Sequence, residues 1–383
     1  MEALANIVEM PLASIIVNNY NYGRFLKQAV DSALRQTYPR IEVIVVDDGS
    51  TDNSREIVAT YGNRIISVLK ENGGQGSAFN AGFAASHGDI IFFLDSDDQL
   101  LPTAVEKARS LFCDSKVVKA HWPLWEIDAS GNKTGKVIPE GGLAEGEFRE
   151  VVIQNGPFNH ANPPTSGNAW SRRFLDCVFP IPERDLRIGA DQYLMELAPL
   201  FGTLKRLPEP QALYRVHGRN QFAGKSFDET LAFELELYDS ICAAAGKYCS
   251  DMRISVDAEL WKRKSWFHQL RQAAAEMATL IPAGRTFILI DENQWGLTAG
   301  NGRDPICLPN REEWENCENN EIAIQEFEDL RQAGGAGFLV FGWPAFWWFE
   351  HYDGLNTYLR GKYPRVLENE RLVVFDLQAS HSL

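Results

Sequence analysis

The chain has 383 residues, 45% of them hydrophobic and 23% charged, with a formal net charge of -15. This is ordinary globular material, too long for one small core, so two domains are expected. So acidic a surface repels polyanions, which excludes a general affinity for nucleic acid or anionic lipid, yet a local phosphate ligand bridged by a divalent cation remains compatible with it.

In chain order, Met1 to Met10 lacks the basic start and long apolar core of a secretion signal. No later run is apolar for the length of a membrane-spanning helix, so a cytoplasmic location is expected. Leu12 to Val17 and Ile41 to Val46 are short apolar runs, and Phe25 to Gln36 between them repeats apolar residues at helical spacing. That pattern predicts a βαβ unit. After the turn Asp48-Gly49-Ser50-Thr51-Asp52 a second helix fits Ser54 to Tyr61, with Ser and Asp placed to cap it. Ile65 to Leu69 and Ile90 to Leu94 read as further strands, the second apolar throughout, as in a strand covered on both faces of a parallel sheet. Gly76 to Ser86 between them reads as a helix. The alternation predicts an α/β fold with a doubly wound, mostly parallel, Rossmann-like sheet, whose ligands sit beyond the carboxyl ends of the strands.

From Glu140 to Phe179 the alternation gives way to Gly, Pro and Asn, which suits loops that shape a pocket. Helical spacing returns at Ala190 to Phe201 and again over Phe227 to Leu280, read as a helical connector. Thr286 to Ile290, Ala323 to Gln332, Phe338 to Phe341, a Trp-rich helix near Phe346 to Arg360, and Leu372 to Phe375 then predict a small C-terminal α/β domain. The expected division is 1–225, 226–281 and 282–383. The aromatic run Trp343, Phe346, Trp347, Trp348 and Phe349 is assigned to core packing. Six cysteines, Cys113, Cys177, Cys242, Cys249, Cys307 and Cys317, form no CxxC pair and read as reduced structural thiols.

Chemistry is concentrated where the strand Ile91-Phe92-Phe93-Leu94 ends in Asp95-Ser96-Asp97-Asp98. Carboxylates so close repel one another, and Mg²⁺ or Mn²⁺ shared with diphosphate oxygens would relieve them. A solvated acidic turn capping a helix near Pro102 is the plainer reading of such a tripeptide alone; its place at a strand end shifts the balance. Asp47 and Asp48 close another strand at the same sheet edge, where one of them could accept hydrogen bonds from a base or ribose or simply cap a helix. Asn72-Gly73-Gly74-Gln75-Gly76 is a glycine-rich loop before a helix, able to bring N–H groups to an anion.

These stretches, with Ser14-Ile15-Ile16-Val17-Asn18-Asn19-Tyr20-Asn21, Ala33-Leu34-Arg35-Gln36-Thr37-Tyr38 and Asn80-Ala81-Gly82, resemble in order and spacing the inverting family 2 glycosyltransferases of the A-type fold. The resemblance is strong over 12 to about 110, looser to about 220, and leaves the C-terminal domain out. It implies that Asn18, Tyr20 and Asn80 belong to the nucleotide site, that Asp48 hydrogen-bonds the base, and that Asp95 approaches ribose and metal. Asp97, with Asp98 as an adjacent candidate, would hold Mg²⁺ or Mn²⁺. Inverting transfer needs a carboxylate base, and the resemblance puts it at Asp191, at the start of the helix from Ala190. Glu183, Asp185 and Glu196 are the neighbouring carboxylates that geometry must separate from it. Tyr214-Arg215-Val216-His217-Gly218-Arg219-Asn220 resembles the family's closing segment, which implies that Arg215 offsets phosphate charge and that His217 is a metal ligand or stabilises the leaving group.

The implied reaction moves a sugar from a nucleotide-diphosphate donor, a UDP-sugar by the family's habit, to a saccharide or lipid-linked glycan, as in polysaccharide biosynthesis. Peripheral membrane association and self-association are compatible with it. One departure stands out: relatives carry a basic residue before Asn80, where this chain has Phe79. Two other readings stay open, a sugar nucleotidyltransferase and a catalytically silent saccharide-binding scaffold. Against the first, Leu12 to Asn21 lacks the basic glycine-rich loop such enzymes use.

Overall fold

The computed structural model describes residues 10–218, 226–295, 305–307 and 320–379. Arg219, Asn220 and Cys317 therefore lie outside the described residues, as do Met1 to Glu9. The chain divides into two compact units, Met1–Ala223 with Glu236–Lys262, and Gly224–Leu235 with Arg263–Leu383.

The first unit begins with β1 (Ala13–Asn19), α1 (Gly23–Leu34), β2 (Ile41–Asp48), α2 (Ser54–Ala59), β3 (Ile66–Lys70), α3 (Gln75–Ala85) and β4 (Ile90–Asp95). The expected alternation is present, each element within about two residues of its apolar pattern. It continues with β5 (Gln99–Leu100), α4 (Ala104–Leu111), β6 (Val117–His121), β7 (Leu124–Ile127) and β8 (Lys133–Ile138). Then come α5 (Arg149–Asn155), β9 (Asn168–Ser171), α6 (Arg172–Val178), α7 (Ala190–Phe201), β10 (Thr203–Arg206) and β11 (Ala212–Arg215). The stretch read as loops thus holds two short helices and one strand, all too brief to show a period in sequence.

The main sheet has seven strands in the order β10-β6-β9-β4-β1-β2-β3. All its pairings are parallel except those of β9, which is antiparallel to both β4 and β6. Its centre is apolar on both faces: Ile15, Val17, Phe92 and Leu94 join a core with Leu26, Ala29 and Val30 of α1, while Ile16 and Phe93 are buried on the other side. There α3 lies close because residue 82 is glycine; a Cβ would stand 2.4 Å from Ile16 Cγ2. Phe79 of α3 stacks on Phe93 with ring centroids 4.0 Å apart and is fully buried, so it is a core residue and not a substitute for a charge.

A second sheet, ordered β5-β11-β7-β8, has a simple effect. β5 leaves the acidic turn directly, and β11 pairs with it through Leu213↔Gln99 and Ala212↔Leu100. Residues beyond 212 are thereby brought back to the turn at 95–98.

The second unit includes α10 and a five-stranded sheet. After α8 (Phe227–Asp251), whose residues are shared between the units, and α9 (Ala258–Lys264), the chain forms α10 (Trp266–Leu280) and β12 (Phe287–Ile290). β13 (Pro305–Cys307), α11 (Asn320–Gly334), β14 (Phe338–Gly342), α12 (Trp348–His351), α13 (Asp353–Lys362), β15 (Arg365–Glu368) and β16 (Leu372–Asp376) follow. The strand order is β13-β12-β14-β16-β15. The single Trp-rich helix expected here is broken at Tyr352, whose φ of -110° and ψ of 64° are not helical. Trp348 is in the core and Phe346, Trp347 and Phe349 pack against it, as the core assignment requires. Glu328 ties α11 to α13, accepting hydrogen bonds from Arg331, Tyr358, Lys362 and Tyr363. The four described cysteines with assigned side chains, Cys113, Cys177, Cys242 and Cys249, are free thiols. No helix among the described residues is long and apolar enough to cross a membrane.

Candidate active site

The parallel register of β1 and β4 sets Asn18 beside Asp95, and the Asn18 amide donates to Asp95 Oδ1 at 2.7 Å. Burial first, and then the neighbouring Asp97, push the Asp95 carboxyl up to about 7, with the Asn18 hydrogen bond acting the other way. Three acidic side chains in one turn are therefore not equivalent, and the structure separates their roles.

Asp98 turns inward. It is 1% exposed, and its oxygens accept from Ser166 Oγ at 2.7 Å and from the Arg215 N–H at 2.9 Å. Both oxygens are engaged in holding the fold, so the structure does not present it as a ligand for a cation. Burial, Asp97 and Asp95 raise its carboxyl well above the usual range. Asp97 keeps some exposure instead, with Oδ2 3.0 Å from His217 Nε2. Tyr22 stands over the His217 ring at 5.5 Å, and its hydroxyl is pushed up to about 12 by burial and by the charges of Asp97, Asp95 and Asp98. An imidazole and a tyrosine far from the acidic turn in sequence are thus gathered onto it by β11 and by the loop after β1.

A cation would fit the Asp97–His217 pair. Two ligands of one octahedrally held ion with bonds of about 2.1 Å lie about 3 Å apart, close to the observed spacing. Among the described residues no third carboxylate, thiolate or imidazole completes such a group, so further ligands would have to come from a bound phosphate or water.

Other residues singled out in the sequence are placed in supporting positions. Arg215 is fully buried and donates from Nε to the Asp97 carbonyl at 2.8 Å, from Nη1 to the Asp128 carbonyl at 3.2 Å and from Nη2 to Gln28 Oε1 at 2.7 Å. Its guanidinium lies 4.6 Å over the Phe25 ring. This is a cross-brace between α1, the acidic turn and the β7–β8 loop, rather than a cation offered to phosphate. Asp48 accepts from Lys70 Nζ at 2.6 Å, Asn72 Nδ2 at 3.1 Å and the N–H groups of Gly73 and Gly74 at 3.0 and 2.7 Å. Its lone pairs are spent on the glycine loop. That loop is therefore no open anion cradle: its next N–H groups, from Gln75 and Gly76, go to the carbonyls of Arg187 and Leu186. Gly74, at φ +89°, permits this contact, since a Cβ would come within 2.5 Å of the Arg187 oxygen. Asn80 clamps the segment before α7, exchanging hydrogen bonds with the Ile181 backbone and donating to Glu183 Oε1 at 3.0 Å. Tyr20 is 46% exposed on the loop after β1.

Asp191 opens α7, where its Oδ2 accepts from Thr165 Oγ1 at 2.8 Å. Burial raises its carboxyl and the Thr165 hydrogen bond moderates the rise, which leaves a carboxylate more basic than one in water. Asp191 lies close enough to Asp95 for its charge to raise the Asp95 carboxyl further. The three carboxylates near Asp191 are separated from it: Glu183 and Asp185 are exposed on the preceding loop, and Glu196 is buried at 3% exposure.

Three residues not picked out in the sequence complete the arrangement. Ser166 accepts from the Asp95 N–H at 3.2 Å while donating to Asp98, and Thr165 touches Asp191. Gln75 Oε1 accepts from the N–H groups of Gly189 and Ala190, both at 3.0 Å, capping α7 from α3. A Pro163-Pro164 pair before two hydroxyl residues was the available signal for the first two; nothing local marks Gln75. A cavity of about 290 Å³ lies elsewhere, lined by Lys116, Arg149, Arg173, Phe201 and Thr203 at the amino ends of β6 and β10, and contains none of these carboxylates.

The mostly parallel sheet with an acidic turn at its carboxyl edge can be compared with known proteins. Residues 14–176 match Glycosyl transferase family 2. An uncharacterized glycosyltransferase of Nostoc sp. is 39% identical over 211 residues, covering 54% of this chain and 65% of the relative. A hyaluronan synthase of Pasteurella multocida is 38% identical over 140 residues, covering 36% of this chain and 14% of that one. The crystal structure of S. aureus TarS 1-349 in complex with UDP is similar with a TM-score of 0.50 at 18% identity, covering 71% of this chain and 75% of that one. That likeness bears on the fold, which is the A-type glycosyltransferase fold. The chain spans less than two thirds of the length of these curated relatives.

Proposed function

We propose that the chain is an inverting glycosyltransferase that moves a sugar from a nucleoside-diphosphate donor, a UDP-sugar, to a hydroxyl of a saccharide or lipid-linked glycan. The observation that carries this reading is the convergence of Asp95, the Asp97–His217 pair and Asp191 at one sheet edge, with Thr165 donating to Asp191 and the Asp191 charge acting on Asp95. The family match and the relatives' names support the reaction class. TarS, of like fold, was crystallised with UDP, which agrees with the choice of nucleotide.

Asp97 and His217 would hold a divalent cation, Mg²⁺ or Mn²⁺, which when bound supplies Lewis-acid stabilisation of the departing diphosphate. Asn18 and Asp95 line the floor on which the nucleoside part rests, and Tyr20, exposed beside them, offers a ring face to the base. Asp191 accepts the acceptor hydroxyl's proton as that oxygen attacks the anomeric carbon opposite the leaving nucleotide. Thr165 orients the carboxylate for this. Asp48, Asn80, Asp98 and Arg215 act on the site by fixing its walls.

Asp191→Asn tests the assignment. The variant should bind UDP with the wild-type dependence on Mn²⁺ by calorimetry and lose transfer by at least about a hundredfold, the lower range for a general base. Release of nucleoside diphosphate from a panel of nucleotide sugars gives the turnover. Near-normal turnover by the variant would refute Asp191 as the base, and metal-independent UDP binding by the wild type would refute the cation site.

A further inference from the structure

A buried polar network lies beneath α7. Lys119 of β6 is fully buried and Glu196 of α7 is 3% exposed, an expensive pair to bury unless something requires both. Asn162 joins them: its Oδ1 accepts from Lys119 Nζ, and its Nδ2 donates to Glu196 Oε1 at 2.9 Å. The other Glu196 oxygen accepts from the Phe158 N–H. Phe158 has φ +66°, a left-handed conformation that is strained for an aromatic residue and persists only where its surroundings hold it. Segment 156–165 is therefore fastened to α7 at two places. Glu196 grips its first half through Phe158 and Asn162, and Asp191, on the same helix, receives Thr165 from its second half.

We infer that the Asn162-bridged Lys119–Glu196 pair is a positioning device for Asp191, fixing segment 156–165 so that Thr165 meets the carboxylate and setting the charge environment in which it works. The inference rests on Asp191 being the base. Lys119 lies close enough to feel the charges of both Glu196 and Asp191, and burial brings its ammonium down to about 7. Burial likewise brings the Glu196 carboxyl up to about 7. The other titratable groups against the network are His121 and His160, whose imidazoles burial brings down, and Asp95 is a titratable neighbour of Asp191.

The two partners should then move Asp191 in opposite directions. Removing Lys119 takes a cation from its neighbourhood and disfavours the ionised carboxylate. Removing the Glu196 charge takes an anion from the same helix and favours it. Lys119→Met and Glu196→Gln in the full chain should bind UDP with Mn²⁺ within about twofold of wild type, while kcat for UDP release from a UDP-sugar falls about tenfold or more. The acid limb of the kcat–pH profile should move to higher pH in Lys119→Met and to lower pH in Glu196→Gln. Glu196→Asp, which keeps the charge but draws the carboxylate back from Phe158, should lower kcat with the limb in place. It also serves if a neutral variant does not fold. Limbs that stay put, or shift the same way in both variants, while Asp191→Asn is inactive, overturn the inference alone. Turnover retained by Asp191→Asn overturns the base assignment and this inference with it.

Discussion

Arg215→Met separates two accounts of this arginine, a brace of the fold and a partner for phosphate. The substitution keeps the aliphatic stem over Phe25 but removes the guanidinium and its hydrogen bonds to the Asp97, Asp128 and Ala129 carbonyls and to Gln28. Gln28 and Ala129 are exposed, so these partners can turn to water at little cost. The Asp97 carbonyl lies in the turn and loses its donor, and the fully buried cation no longer offsets Asp98 and Asp97. Stranding a buried polar group costs about 1–3 kcal/mol and breaking a buried charge pair about 3–5, so a net loss of about 3 kcal/mol is expected after partial relaxation. Urea unfolding followed by fluorescence would show it as a lower midpoint at unchanged slope. UDP affinity measured well below the midpoint should fall only modestly, because the guanidinium is spent inside the fold. A variant as stable as wild type but unable to bind UDP would refute this reasoning and restore the phosphate role.

Gln75→Ala should cost about 1 kcal/mol, the usual worth of a helix cap, because Gly189 and Ala190 lose their acceptor. With α7 less firmly seated, kcat should drop more than UDP affinity, which kinetics and calorimetry on one preparation would compare. In the second unit, hydrogen bonds from Tyr363, Tyr358, Lys362 and Arg331 outweigh burial and hold the Glu328 carboxyl down to about 2. A depressed carboxyl contributes stability above its unfolded pKa of about 4.3, and that contribution drains away as pH falls towards the folded value. Glu328→Gln should therefore lower thermal stability near neutrality by roughly 3 kcal/mol, with the difference from wild type vanishing near pH 2. An equal difference at both pH values would show that shape, not charge, accounts for the effect.

How far the sequence could be read depended on how local each feature is. β1, β2 and β4 are apolar runs long enough to declare themselves, and α7 begins and ends at the residues its spacing predicts. The acidic turn was visible because a buried strand stops there. What was hidden depends on partners far along the chain. β9 is four residues long and takes its identity from lying between β4 and β6. Asp97 and Asp98 look alike in sequence, yet one meets His217 and the other the Arg215 backbone and Ser166, contacts spanning 68 to 120 residues. Asp48 matches its family motif, but Lys70 and the glycine loop claim its oxygens, which no local pattern announces. Residue types were legible, and the division of labour among them was not.

The placement of β11 between β5 and β7 bears on how this protein can be cut. The family match stops at residue 176, before Asp191, His217, β10 and β11. A fragment trimmed to that boundary would lose an edge strand from one sheet and an inner strand of the other, leaving β5 unpaired and the acidic turn without its imidazole. The smallest piece worth expressing for catalysis runs past residue 217, so motif boundaries here are a poor guide to where the working unit ends.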